Sequence, residues 1–413
     1  MPSNSKSHDP YEALRYPAYR LYLLATQATH LANQIAGLAV GWTLYDRTAS
    51  AWPLAFVGLA TYLPIFCFSL PAGLLADHPR RKAFLGYSVL GQLLAFLGLA
   101  WAAYVQAPPP VWYGLVFLSS TASAVRTPLA VSFYPTLIPT GAIANSVTWN
   151  SSNFQFSAIV GPIIGGALLH WIGPAKAFAV AALGTAIYLI ALPFLKPLRV
   201  AASAKASESL RDRIMGGWDY LKKEDIIRWA LTLDLFAVLF GGADYIMPIF
   251  AKDILHVGPV GLGWLVAAGF GGALCMSLWV AHRPLLTAGR SLLLAVGGFG
   301  LCMIIFSLSH SFVLSFLALF TAGALDAISV VVRQTMVQVR TPEHLRGRVQ
   351  AVNFLFIGSS NELGGFESGM TAAWMGPVGS VLFGGLATVA VVAFVARISP
   401  ELRQLQKLSR PED

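Results

Sequence analysis

Seven ionisable side chains stand where an apolar chain has no ordinary use for them. Arg126 lies in the apolar stretch 111–138 and Arg333 in 311–339, while Asp234, Asp244, Asp326, Glu362 and Glu367 lie in stretches of the same kind. At membrane depth such groups cost about 2.5–3.5 kcal/mol each on insertion scales, so they face a cavity or one another and mark a transport path. A carboxyl that alternates between dry and wet surroundings changes its affinity for protons, because burial penalises the charged form. The five acids are therefore candidates for proton coupling. Asp326 comes first and Glu362 second, both near mid-membrane; Glu367 and Asp244 lie nearer the outer face. Arg333 and Asp234 sit at similar depth, where a structural salt bridge is the alternative to a role in transport. Asp326 and Arg333 share a helical face but stand about 10 Å apart along the axis. Five acids against two arginines leave a surplus suited to protons or a cationic solute.

Composition says what must position these groups. Of the 413 residues, 56% are hydrophobic and 11% charged, and the mean hydropathy is +0.64. Soluble domains carry about 25% charged residues, so the excess apolar surface has to face lipid. A span needs roughly 20 apolar residues, which predicts twelve helices: 17–45, 52–76, 83–105, 111–138, 145–170, 175–195, 226–251, 258–281, 291–309, 311–339, 349–374 and 377–396. With the N-terminus inside, all but five of the 28 Lys and Arg fall on the cytoplasmic side; Arg47, Lys176 and Lys252 are external, and Arg126 and Arg333 are within spans. This asymmetry places both termini in the cytoplasm and accounts for the net charge of +9 without a nucleic-acid partner. No signal peptide is expected at the polar N-terminus. The three cysteines, Cys67, Cys275 and Cys302, fall inside spans and offer no disulfide framework or metal site. No GK[ST] phosphate loop, HExxH or GxSxG is present, which argues against an ATP-driven pump or an enzyme. No cofactor or metal is expected.

The longest polar stretch, 196–225, divides the chain into bundles 1–195 and 226–413. Within it Leu210, Ile214, Trp218 and Leu221 form one helical face, suited to the cytoplasmic membrane surface; a solvated linker helix is the alternative. The halves are related. A shift of 203 pairs Pro139 with Pro342, Asn150 with Asn353, Ser157 with Ser360, Gly161 with Gly364 and Gly166 with Gly369, and ends in a shared Trp-x-Gly-Pro at Trp171–Gly173–Pro174 and Trp374–Gly376–Pro377. The fold expected is an all-α polytopic membrane protein with twelve transmembrane helices in two pseudo-symmetric six-helix bundles. Parallel repeats of this kind place a solute site at their interface near the midplane.

After the second span the chain carries Gly73, Leu75, Ala76, Asp77, Arg81 and Lys82, an acid and bases able to latch neighbouring helix ends. In this loop it resembles the major facilitator superfamily signature G-x-L-A-D-R-x-G-R-[RK], with His78 and Arg80 in place of the usual Arg and Gly. The fifth span, with Ser157, Gly161, Pro162, Gly165 and Gly166, resembles the antiporter motif G-x-x-x-G-P-x-x-G-G of the same superfamily, with Ser157 for the first Gly. Ordinary small-residue packing would look similar. Asp326 to Arg333, followed by Thr341, Pro342 and Arg348, resembles the drug- and siderophore-exporter branch, of the enterobactin-exporter type. The resemblance implies a proton antiporter whose first, fourth, seventh and tenth helices line the central cavity, with Asp77, Arg81 and Lys82 as a conformational latch and Gly161, Pro162, Gly165 and Gly166 shaping a moving interface.

Arg126, Arg333, His30, Gln34, Trp149 and Asn153 are the candidates for lining a solute cavity; His30 and the aromatic groups also read as packing residues. The composition suits an amphipathic organic solute better than a bare ion. The expectation is a bacterial inner-membrane exporter, working as a monomer, that exchanges a drug- or siderophore-like molecule for protons. Uptake or lipid transfer by the same fold is an alternative, as is a non-transporting receptor or assembly factor.

Overall fold

The computed structural model describes residues 9–76, 78–199, 210–283 and 288–405, without the side chains of 69, 70, 74, 210–214, 217, 223, 344, 347, 351, 354–359 and 362. Among the described residues there is no strand. In chain order the helices are α1 (Pro17–Thr48), α2 (Trp52–Ala76), α3 (Arg81–Tyr104), α4 (Pro109–Phe133), α5 (Ile143–Ile172), α6 (Pro174–Ala191), α7 (Leu210–Lys223), α8 (Asp225–Gly241), the single turn α9 (Met247–Ile249), α10 (Gly258–His282), α11 (Ala288–Leu308), α12 (Phe312–Arg340), α13 (Glu343–Ile398) and α14 (Pro400–Gln404). Nine stretches among the described residues are long and apolar enough to cross a membrane, and Trp52–Phe68 of α2 is a shorter apolar helix. α1 is longer than most but is diluted by Gln27, His30, Asn33 and Gln34.

Proline and glycine punctuate these helices. Pro17, Pro109 and Pro174 open α1, α4 and α6 in the first turn, where a missing N–H costs nothing. The repeated Trp-x-Gly-Pro makes the same corner twice. Gly173 and Gly376 have φ of +79° and +80°, a region that side chains with a Cβ avoid, and the following proline starts the next helix. Gly376 thus breaks α13 into two arms.

α1 packs on α5 and α6, α2 on α4, and α3 on α4 and α6; later in the chain α8 packs on α13, α10 on α12, and α11 on α12 and α13. Two pairs join these groups, α5 with α10 and α2 with α13. Both crossings are backbone-close. A Cβ on Gly369 would stand 2.6 Å from Ala55 Cα, and one on Gly58 2.8 Å from Phe366 N. Leu24, Leu183 and Leu294 are among many large apolar side chains left on the surface, as a lipid-facing exterior requires.

The linker helix α7 docks rather than standing free. Leu221 is buried with Ile227, Val337, Val349 and Val352, and Tyr220 donates a hydrogen bond to the Arg340 carbonyl at 2.9 Å. Trp218 on α7 is partly exposed, whereas the side chains of Leu210 and Ile214 lie outside those described.

Candidate functional site

Tyr22, Thr26 and His30 recur every four residues on α1 and so share one face of the helix. With Arg126, Thr127 and Ala130 of α4, Asn150, Ser151, Phe154 and Gln155 of α5, and Leu274 and Ser277 of α10, they line a cavity of about 630 Å³. That is within the usual range for small-molecule sites, roughly 300–1,000 Å³. The wall is part aromatic: Tyr22 and Tyr134 stack at 5.8 Å, and His30 meets the edge of Phe154 at 5.6 Å. Asn150 is held in place by donating to Tyr19 Oη at 3.1 Å and to the Ser146 carbonyl at 3.0 Å. Arg126 is 5% exposed, and its Nε has no hydrogen-bond partner. Among the described residues no acid lines the cavity.

The second arginine has the opposite environment. Arg333 on α12 forms an ion pair with Asp234 on α8, both side chains being buried. Beside this pair Asp234, Phe299, Asp326 and Ser329 enclose a void of about 20 Å³, enough for roughly one water. The buried Ser329 hydroxyl has no partner, and Asp326 makes no hydrogen bond or ion pair among the described residues. Asp244 lies on the turn after α8. Glu367 is half-buried on α13, its backbone carbonyl accepting from Thr371 Oγ1 at 2.9 Å. The Glu362 side chain lies outside the described residues. Asp234, Asp326 and Arg333 are thus brought together, and Arg126 and His30 share a separate site.

Other predicted residues lie off the cavity wall. The Trp149 indole donates to the Pro10 carbonyl at 3.1 Å and tethers the segment before α1. Asn153 is buried and donates to the Leu23 carbonyl at 3.0 Å, joining α5 to α1. Gln34 packs where α1 meets Gly161. Tyr22 is a wall residue outside the sequence-based candidates, although the four-residue spacing of Tyr22, Thr26 and His30 marks one helical face.

At the loop after α2, Asp77 lies outside the described residues and Gly73 has open space around its Cα. Arg81 opens α3. Lys82 donates to the Pro193 and Leu195 carbonyls at 3.2 and 2.8 Å, closing the end of α6 on the start of α3. Charge at a helix C-terminus is favoured when positive.

The glycines of α5 divide between two neighbours. Gly161 and Gly165 lie against Gln34 and Ile35 of α1. Gly166 faces Pro259 and Val260 of α10, and Gly263 of α10 faces Pro162 and Ile163 in return. At the same end, remote from the chain termini, Tyr45 of α1 hydrogen-bonds Asp253, and Lys252 forms an ion pair with Asp46 at 2.7 Å. The Arg126 cavity lies in the other half of the molecule, the half with the termini, between the start of α1, the start of α5 and the end of α10.

Residues 8–411 match the family described as transmembrane secretion effector. Two curated relatives, both named enterobactin exporter EntS, from Escherichia coli O1:K1 and from Escherichia coli O45:K1 (strain S88), are each 26% identical over 407 residues, covering 95% of this chain and 94% of theirs. Among solved structures, a bacterial homolog of the human lysosomal transporter Spinster, inward-facing and unoccupied, superposes with a TM-score of 0.72 at 17% identity, over 96% of this chain and 99% of that one. A D-xylose-proton symporter gives 0.67 at 14% identity, over 94% and 99%.

Proposed function

Because the chain belongs to the transmembrane secretion effector family of major facilitator transporters, we propose that it exports a small amphipathic organic molecule across the bacterial inner membrane in exchange for protons. The reading is of twelve membrane passes in two six-helix bundles with both termini in the cytoplasm, where the excess of Lys and Arg favours them. The observation that carries it is the placement of the 630 Å³ cavity in the half with the termini, while the opposite end is closed by Gly166 on α10, Gly263 on α5 and the Lys252–Asp46 pair. Such a state takes up solute from the cytoplasm. Breaking the far-end contacts and closing the near end would release it outside, with protonation biasing the two populations.

Proton coupling is assigned to Asp326. Its carboxyl has no partner among the described residues and shares a water-sized void with Ser329 and with Asp234, the acid that pairs with Arg333. A proton taken there changes the charge beside an ion pair that ties α8 to α12, a direct route from protonation to helix packing. Asp234, already committed to Arg333, serves as the structural partner. Glu362, Glu367 and Asp244 remain further candidates along the route.

The test is proton movement in proteoliposomes carrying an internal pH dye, with siderophores and lipophilic drugs added in turn. Solute-dependent proton flux in the wild type that disappears in Asp326→Asn supports the assignment. Flux that survives in the variant moves coupling to another acid. Labelled solute that moves without any proton flux removes antiport from the reading.

A further inference from the structure

We propose that the solute is an organic anion, a carboxylate or equivalent oxyanion on an aromatic body, and that Arg126 is the group that selects it. This rests on the reading of the Arg126 cavity as the solute site.

A guanidinium keeps its charge under all ordinary conditions, and a buried charge without a counter-charge costs several kcal/mol. Arg333 meets that requirement with Asp234. Arg126, equally buried, forms no ion pair among the described residues. Helices α2 to α6 contain no Asp or Glu, and the one acid on α1 is Asp46 at the far end, paired with Lys252. α10, which closes the last side of the cavity, has no acid either. Among the later acids whose side chains are described, Asp244, Asp326 and Glu367 are all absent from the wall. None of these helices can therefore supply the missing negative charge; the remaining acids of this half, Asp9, Glu12 and Asp77, lie outside them, and Asp77 lies outside the described residues. A ligand can.

The surroundings specify the rest of the ligand. The guanidinium fork matches the two oxygens of a carboxylate. The stacked Tyr22 and Tyr134 and the exposed ring of Phe154 suit a flat apolar body, and Asn150 and Ser151 provide polar contacts at its edge. Of the two expectations for the surplus of acids, protons or a cationic solute, this sets aside the second: Asp234, Asp244, Asp326 and Glu367 are absent from the cavity wall.

The experiment is equilibrium dialysis of three radiolabelled probes of one shape against the full chain in nanodiscs, with empty nanodiscs subtracted: naphthalene-2-carboxylate, its carboxamide, and 2-naphthylmethylamine. The carboxylate is expected to bind most tightly, about 10- to 100-fold above the carboxamide, as a charge-assisted hydrogen bond provides. Arg126→Gln should erase that preference, Arg126→Lys should keep part of it, and Ser151→Trp, which fills the cavity from an accessible position, should weaken all three probes. The wild-type comparison needs no variant and stands even where Arg126→Gln fails to fold. Equal binding of the three probes, no carboxylate binding at millimolar concentration, or a preference that survives Arg126→Gln while Ser151→Trp abolishes binding, overturns anion selection and leaves the cavity as the solute site. Carboxylate binding that survives both Arg126→Gln and Ser151→Trp overturns the cavity reading itself.

Discussion

Gly166→Ala adds one methyl group at the crossing of α5 and α10. The new Cβ would stand 3.1 Å from the Pro259 carbonyl carbon and 3.2 Å from Val260 Cα, with the Pro259 oxygen closer still. These are backbone atoms, so no rotamer change relieves the contact and the helices must separate. Overpacking of this kind costs roughly 1–3 kcal/mol. The cost falls only on the state in which α5 and α10 touch, so the ratio of far-end-open to far-end-closed molecules should rise about 5- to 150-fold. Spin labels at Ala49 on the α1 end and His256 beyond Lys252 report the separation by pulsed dipolar spectroscopy. Gly37→Ala is the control, because a Cβ there meets nothing within 4 Å. A longer-distance population is expected in Gly166→Ala and in its reciprocal, Gly263→Ala, but not in Gly37→Ala. If Gly166→Ala keeps the wild-type distribution, the far-end crossing does not hold the closed state.

Arg333→Ala leaves Asp234 buried without its partner and should cost about 3–5 kcal/mol, read as a lowered unfolding temperature in detergent; an Asp234→Leu, Arg333→Met double variant should recover most of the loss. Lys252→Ala removes a half-exposed pair worth about 0.2–1 kcal/mol, so it should open the far end only slightly in the same distance measurement. Trp149→Ala loses the bond to the Pro10 carbonyl, roughly 0.5–1.5 kcal/mol, and should speed tryptic cleavage after Arg15 several-fold while leaving probe binding in the cavity unchanged.

Membrane class, helix placement and the internal repeat were legible without coordinates, because each depends on local composition or on short-range backbone chemistry. Trp171-x-Gly173-Pro174 and Trp374-x-Gly376-Pro377 are the best example. A proline that opens a helix and a glycine that accepts positive φ make a corner wherever they occur, and the two corners agree within a degree of φ. The family motif around Gly161 and Gly166 was equally visible, but its division of labour was not. Gly161 serves α1 and Gly166 serves α10, and that distinction exists only once three helices meet.

The charges mark the boundary most clearly. Arg126 and Arg333 are the same residue in similarly apolar spans; the depth of Asp234 offered a salt bridge only to Arg333, as an alternative to a role in transport, and the fold forms it. Tertiary packing brought Asp234 within bonding distance of Arg333 and left helices without acids around Arg126. A buried charge is governed by what faces it across helices, a long-range relation that no local pattern encodes. Thus the chain alone determined that ionisable groups lie within apolar spans, and the fold decided which of the two arginines is paired with an acid among the described residues.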